Sequence, residues 1–136
     1  MHNNISRSDA DEVIKFLSQD PLPVLTNSTK VKEFEKVWGE WLGTKYNVMV
    51  NSGSAANELS LLYLKYLFPE GGEVIIPPLC WVSDVAAVLQ NGFTPVFCDI
   101  NLSNLALDVK QVKEKITPKT KAILLIHILG YNGLSD

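Results

Sequence analysis

Apolar positions change their period along this chain. Ser8-Asp9-Ala10-Asp11 reads as a helix start with acidic residues in the first turn, and Val13, Ile14, Phe16 and Leu17 give the helix one apolar side. Pro21 and Pro23 end it and impose an extended link. Ser28 is placed to cap a second helix, whose apolar residues Val31, Phe34, Trp38, Trp41 and Leu42 recur at helical spacing until Gly43 stops it. The tryptophans lie on that stripe, which marks them as packing anchors. From Tyr46 the period shortens. Residues 46–51 read as a strand, 54–68 as a helix apolar nearly all round, and Pro69-Glu70-Gly71-Gly72 as a turn. Glu73–Ile76 is a predicted strand left through Pro77-Pro78, and Val82–Leu89 a helix closed by Asn91-Gly92. Thr94–Asp99 is a third strand. Asp108 caps a short helix through Ile116 with Val109, Val112 and Ile116 inward, and Lys121–Ile128 is a last, buried strand.

Strands alternating with helices over short links predict an α/β domain: a three-layer, mostly parallel sheet with helices on both faces and right-handed crossovers. A buried parallel strand normally leads into a further crossover, so the chain reads as though something should follow Asp136. At 136 residues and 46% hydrophobic the chain suffices for one domain with a core. A net charge of −3 without a basic block offers no footprint for nucleic acid. Cys80 and Cys98 form no metal-ligand pattern, no apolar leader opens the chain, and no run is long enough to span a bilayer. A cytoplasmic, reducing location is the expectation.

Two loops at predicted strand ends carry unusual residues. Asn51-Ser52-Gly53-Ser54-Ala55-Ala56-Asn57 joins a strand to a helix through small polar residues. Unpaired amides at a helix start attract anions, the helix dipole adds to that, and Gly53 would let the backbone approach the bound group. The second loop, Pro77-Pro78-Leu79-Cys80-Trp81-Val82-Ser83-Asp84, falls on the same sheet edge if the strands are parallel neighbours. Trp81 there suits a flat, electron-poor ring whose phosphate sits at Ser54; it equally suits plain cover for the sheet edge.

These same stretches resemble the DegT/DnrJ/EryC1/StrS sugar aminotransferases. Tyr46 to Asn57 is similar to their phosphate loop. Gly72-Glu-Val-Ile-Ile-Pro-Pro-Leu-Cys-Trp-Val-Ser83 is similar to the segment that follows it. Asn91 to Ile100, Ile116-Thr-Pro-Lys-Thr-Lys-Ala-Ile123 and His127-Ile-Leu-Gly130 resemble later family motifs, and Phe34-Glu35 with Gly43-Thr-Lys-Tyr46 an earlier one. Each is weak alone, but together they run in family order from about residue 28 to the end.

The resemblance implies part of the large domain of a fold-type I enzyme dependent on pyridoxal 5′-phosphate, with residues 1–27 a helix and linker and 28–136 a partial cofactor-binding domain. It implies amine transfer from glutamate or glutamine to a nucleotide-linked keto-sugar, in a homodimer. Gly53, Ser54 and Ala55 would hold the cofactor phosphate, Trp81 would stack on the pyridine ring, and Ser83 would face the cofactor. The run Ser52 to Asn57 is closer to the related sugar 3-dehydratases, whereas Trp81-Val82-Ser83 looks like the aminotransferases.

The lysine that links to the cofactor and the aspartate that holds the pyridine nitrogen protonated follow the His-x-x-Gly segment in the family, beyond Asp136. No lysine of this chain lies in either loop, so the isolated chain is expected to be inactive and to bind free cofactor weakly. Asp84 reads as a helix-start residue and Asp99 as a strand end. His127, inside an apolar run, reads as a core histidine, and His2 as part of a loose terminus. A small phosphate-binding module without catalysis also fits the anion loop, whereas a dinucleotide-binding domain fits poorly, for lack of a G-x-G-x-x-G run.

Overall fold

The computed structural model describes residues 4–134, so His2 lies outside the described residues. Two compact units divide the chain at Met49/Val50.

In the first unit, helix α1 spans Arg7–Leu17. Its cap is Ser6, just before the predicted start at residues 8–11. Asp9 N–H donates to Ser6 Oγ at 3.2 Å, and Ser6 N–H to Asp9 Oδ2 at 2.8 Å, closing a capping box. Two residues decide the register, because the Asp9 carboxylate reaches back three positions and no farther. Helix α2, Thr29–Leu42, starts after Ser28 and ends on Gly43 at φ 77°, the left-handed conformation that glycine adopts without steric cost. Ser28 occupies the cap position without a side-chain bond. The apolar stripes of both helices are present but not buried: Val13, Ile14 and Leu17 are exposed, and Trp41 is 74% exposed. The α2 aromatics stack on one another instead, Phe34 to Trp38 at 5.9 Å and Trp38 to Trp41 at 4.9 Å between centroids. The predicted anchors are therefore a surface cluster.

The expected strand at 46–51 is absent. The segment is extended, but none of its residues joins a ladder, and Tyr46 and Val48 are exposed. An apolar run becomes a strand only where a neighbour supplies hydrogen bonds, and the ladders among the described residues are made by residues 73–76, 94–97 and 120–123 alone.

The second unit builds the sheet. Helix α3 spans Gly53–Leu67, strand β1 Glu73–Ile76, helix α4 Val82–Gln90, strand β2 Thr94–Phe97, helix α5 Val109–Lys115 and strand β3 Thr120–Ile123. The strand order is β2-β1-β3, all parallel, with Ile75 opposite Val96 on one side and Ile123 on the other. Strand side chains alternate between faces. Val74 and Ile76 accordingly pack with Leu61 of α3 and Ala87 and Val88 of α4, while Ile75 packs with Cys98, Leu107 and half-buried Val112 of α5. Helices on both faces of a parallel sheet are the predicted three-layer architecture.

The fit is looser at the margins. Helix α3 buries Leu61 alone and leaves Leu62, Tyr63 and Tyr66 exposed. Val109 and Ile116 are exposed, so Val112 by itself forms the inner side of α5. β3 is an edge strand and ends at Ile123. Leu124 N–H still donates to Ile75 O at 2.8 Å, and the chain then leaves the sheet for a 3₁₀ turn at Ile128–Gly130.

Candidate functional site

Three chain segments meet at the carboxyl end of the sheet. The first is the start of α3. Ser52 caps it, its Oγ accepting from Ala55 N–H at 3.1 Å and its carbonyl from Ala56 N–H at 3.1 Å. The amides of Gly53 and Ser54 take no acceptor among the described residues, and a Cβ built on Gly53 meets nothing within 4 Å. This is an exposed helix N-terminus with two donors to spare.

The second segment leaves β1 through buried Pro77 and enters α4 at Val82, with Trp81 in the cap position. Asp84 determines its geometry. The residue is 6% exposed, and its Oδ2 accepts from Trp81 N–H at 3.0 Å. Its Oδ1 accepts from Asn57 Nδ2 at 2.7 Å. One carboxylate thus caps α4 and ties it to α3, which satisfies both of its oxygens inside the protein. Trp81 itself stays 78% exposed, with its ring available to a partner.

The third segment is the continuation of β3. Leu124 to His127 run along the remaining wall. Together the three segments line a cleft of about 640 Å³ that includes Gly53, Ser54, Asn57, Trp81, Ser83 and His127.

Of the residues singled out in the sequence, Gly53, Ser54, Trp81 and Ser83 come together here. Ala55 does not line the cleft, and its amide is committed to Ser52. Asp84 is a helix-start residue as expected, and it also reaches the cleft. Asp99 stays away, accepting from its neighbour Ile100 N–H at 2.8 Å. His127 corrects the core assignment: it is exposed and on the cleft wall, because the chain has left the sheet before reaching it. The Asn57–Asp84 bond escaped sequence reasoning. Its signal was an amide in one loop and a carboxylate in the other, 27 residues apart.

No lysine or arginine lines the cleft among the described residues. Lys65 and Lys121 lie instead over the rings of Phe93 and Phe68, at 5.7 and 4.8 Å. Burial pushes the Cys80 thiol pKa up, and the Asp84 carboxylate adds to the rise, so Cys80 stays a thiol rather than a thiolate nucleophile. The arrangement suits binding: anion donors, an aromatic face and an imidazole line one cleft.

Known proteins resemble this chain in sequence and in fold. The family model of the DegT/DnrJ/EryC1/StrS aminotransferase family matches residues 4–133. A GDP-4-keto-6-deoxy-D-mannose 3-dehydratase of Yersinia pseudotuberculosis is 40% identical over 79% of this chain, which is 28% of that protein. The GDP-perosamine synthase of Escherichia coli O157:H7 is 36% identical over 74% of this chain and 27% of its own length. The solved structure of an E. coli GDP-4-keto-6-deoxy-D-mannose-3-dehydratase with bound hydrated PLP superposes with a TM-score of 0.83 at 31% identity, over 95% of this chain and 33% of that one. The chain therefore spans under a third of the length of these relatives. With a family model over nearly all of its residues and solved relatives of the same fold, the chain belongs to the DegT/DnrJ/EryC1/StrS aminotransferase family.

Proposed function

We propose that this chain forms the phosphate-cup and ring-stacking wall of an enzyme dependent on pyridoxal 5′-phosphate, one that transfers an amino group from glutamate or glutamine to a nucleotide-linked keto-sugar. The observation that carries the proposal is the convergence of the α3 N-terminus, Trp81 and Ser83 on one cleft. Residues 28–136 belong to the cofactor-binding large domain in this proposal, with 1–27 a helix and linker, and the whole enzyme is a cytoplasmic homodimer. Two free cysteines agree with a reducing compartment.

The residues present fit the cofactor. Two amides without acceptors and the positive end of a 15-residue helix match a phosphate. The open space on the Cβ side of Gly53 leaves room for the phosphate oxygens, and an exposed indole matches a flat heteroaromatic ring. When bound, the cofactor supplies an electron sink for chemistry at the carbon bearing the amine. The chain's own residues bind and orient it: Gly53 and Ser54 fix the phosphate, Trp81 fixes the ring plane, Asp84 holds the Trp81 backbone and Ser83 borders the ring. With no amine on the cleft wall, this segment positions the cofactor without anchoring it covalently, and the isolated 136 residues are inactive.

Pyridoxine 5′-phosphate, which lacks the aldehyde and so cannot react with surface lysines, tests the cup. It is expected to shift the Gly53 and Ser54 amide resonances and the Trp81 indole together. Saturable shifts confined to other residues would refute the assignment, and amine transfer by the isolated chain with glutamate and a nucleotide keto-sugar would refute its inactivity. A 3-dehydratase of the same cofactor class is the second reading, favoured by Ser52-Gly53-Ser54-Ala55-Ala56-Asn57 and by the 40% and 36% identity to two GDP-4-keto-6-deoxy-D-mannose 3-dehydratases. Product analysis with a longer polypeptide carrying this segment separates the two, because one reaction adds nitrogen to the sugar and the other removes its 3-hydroxyl.

A further inference from the structure

His127 has no part in the cup or the stacking wall, yet its imidazole lines the same cleft. Its ring is held from behind. Gly133 N–H donates to His127 Nδ1 at 2.9 Å. An amide can only donate, so Nδ1 must be the unprotonated nitrogen, and the neutral ring carries its proton on Nε2.

The chain is shaped to make this contact. A 3₁₀ turn reverses it, with Leu129 at φ 51° and Gly130 at φ 84°, and Gly130 N–H donates to His127 O at 3.1 Å. Gly133 returns to the ring and is buried there. A Cβ on Gly133 would stand 2.9 Å from the Ala106 Cβ and 3.4 Å from Nδ1 itself, so only glycine allows this approach. An exposed histidine that merely solvated the surface would need no such support.

We infer that His127 is a ligand-contacting residue of this cleft, held as a fixed Nε2–H donor for an oxygen on the bound heteroaromatic ring. The inference rests on the proposal that the cleft takes pyridoxal 5′-phosphate. Chemistry narrows the target. The phosphate has its donors at Gly53 and Ser54. A protonated pyridine nitrogen needs an acceptor, which an Nε2–H cannot be. The ring's 3-oxygen is an acceptor with anionic character and is the group left to receive a donor.

The test uses the 136-residue chain with imidazole nitrogens labelled, titrated with pyridoxine 5′-phosphate and separately with inorganic phosphate. The free chain should show the Nε2–H tautomer at His127. Pyridoxine 5′-phosphate should move the Nε2 resonance, whereas inorganic phosphate should move only Gly53 and Ser54. His127→Leu should weaken pyridoxine 5′-phosphate about tenfold without changing the phosphate titration, and His127→Gln, which restores an N–H donor, should recover most of the loss. Wild-type affinity in His127→Leu would overturn the inference while leaving the cofactor proposal standing. An Nε2 shift of equal size with inorganic phosphate would also overturn it, by making His127 part of the cup. Failure of the wild-type chain to bind pyridoxine 5′-phosphate would overturn both.

Discussion

Helices α2 and α4 are both rich in apolar residues, and they end in different circumstances. α4 packs Ala87 and Val88 against β1 and buries Asp84 at its start. α2 buries only Gly39, where Asn47 and the Thr44 carbonyl crowd the backbone, and displays Phe34, Trp38 and Trp41 at the surface. Periodicity marks which side of a helix is apolar. Whether that side is buried depends on a partner, and partners are a property of the tertiary structure.

The contrast predicts a large difference in mutational cost. Ile75 and Ile76 are fully buried in β1, and replacing either with alanine should cost about 3–5 kcal/mol in urea unfolding. Trp41→Ala, at a site 74% exposed, should cost less than about 1 kcal/mol. A Trp41→Ala loss as large as that of Ile75→Ala would break the comparison, because it would mean that the α2 stripe is covered in solution.

A smaller effect is expected at the polar link of α4. Asp84→Ala removes the acceptor of both Trp81 N–H and Asn57 Nδ2 and should cost about 2–3 kcal/mol. Asn57→Ala should cost less, since it spares the bond to Trp81. A double-mutant cycle between the two should show about 1 kcal/mol of coupling or more. Additive losses would mean that the bond does not join the helices energetically.

Function sharpens the same contrast at lower cost. Gly53→Asp places a carboxylate at the start of α3, in open space and near the positive helix end, so unfolding stability should hardly change. The same charge should repel a phosphate, and pyridoxine 5′-phosphate should bind at least about tenfold more weakly. Unaltered binding would move the anion site away from Gly53.

How far the sequence foretold these features depended on the range of the interactions behind them. Gly43, Asp108 and strand 73–76 were legible because a left-handed glycine, a cap reaching three residues on to Gln111 N–H and a short run of β-branched residues are local signals. Residues 46–51 were misread because a strand is a pair, and sequence shows one member. His127 was misassigned because the apolar run from Ala122 continues past the point where the ladder ends, so run length overstated burial. The cleft itself was legible in its loops, since parallel strands bring their carboxyl ends to one edge. The bond that ties those loops together was not, because neither Asn57 nor Asp84 is unusual until the other is beside it.

The smallest effect belongs to α1, where the interactions are local and exposed. The Asp9 carboxyl is held below its usual pKa by the Ser6 hydroxyl first and the Ser6 amide second. A depressed folded-state pKa means that the cap contributes fully above the unfolded-state value and is lost as pH falls through the folded one. Acidification below the usual carboxylate range should therefore fray the first turn of α1, read as loss of helical carbon shifts at residues 7–10, while the Val74–Ile76 resonances stay put. Asp9→Asn should show the frayed shifts at neutral pH and no further change on acidification. If the first turn instead kept its helical shifts through the titration, helix propensity rather than the Ser6–Asp9 box would be holding that end, and α1 would owe less to its cap than α4 does to Asp84.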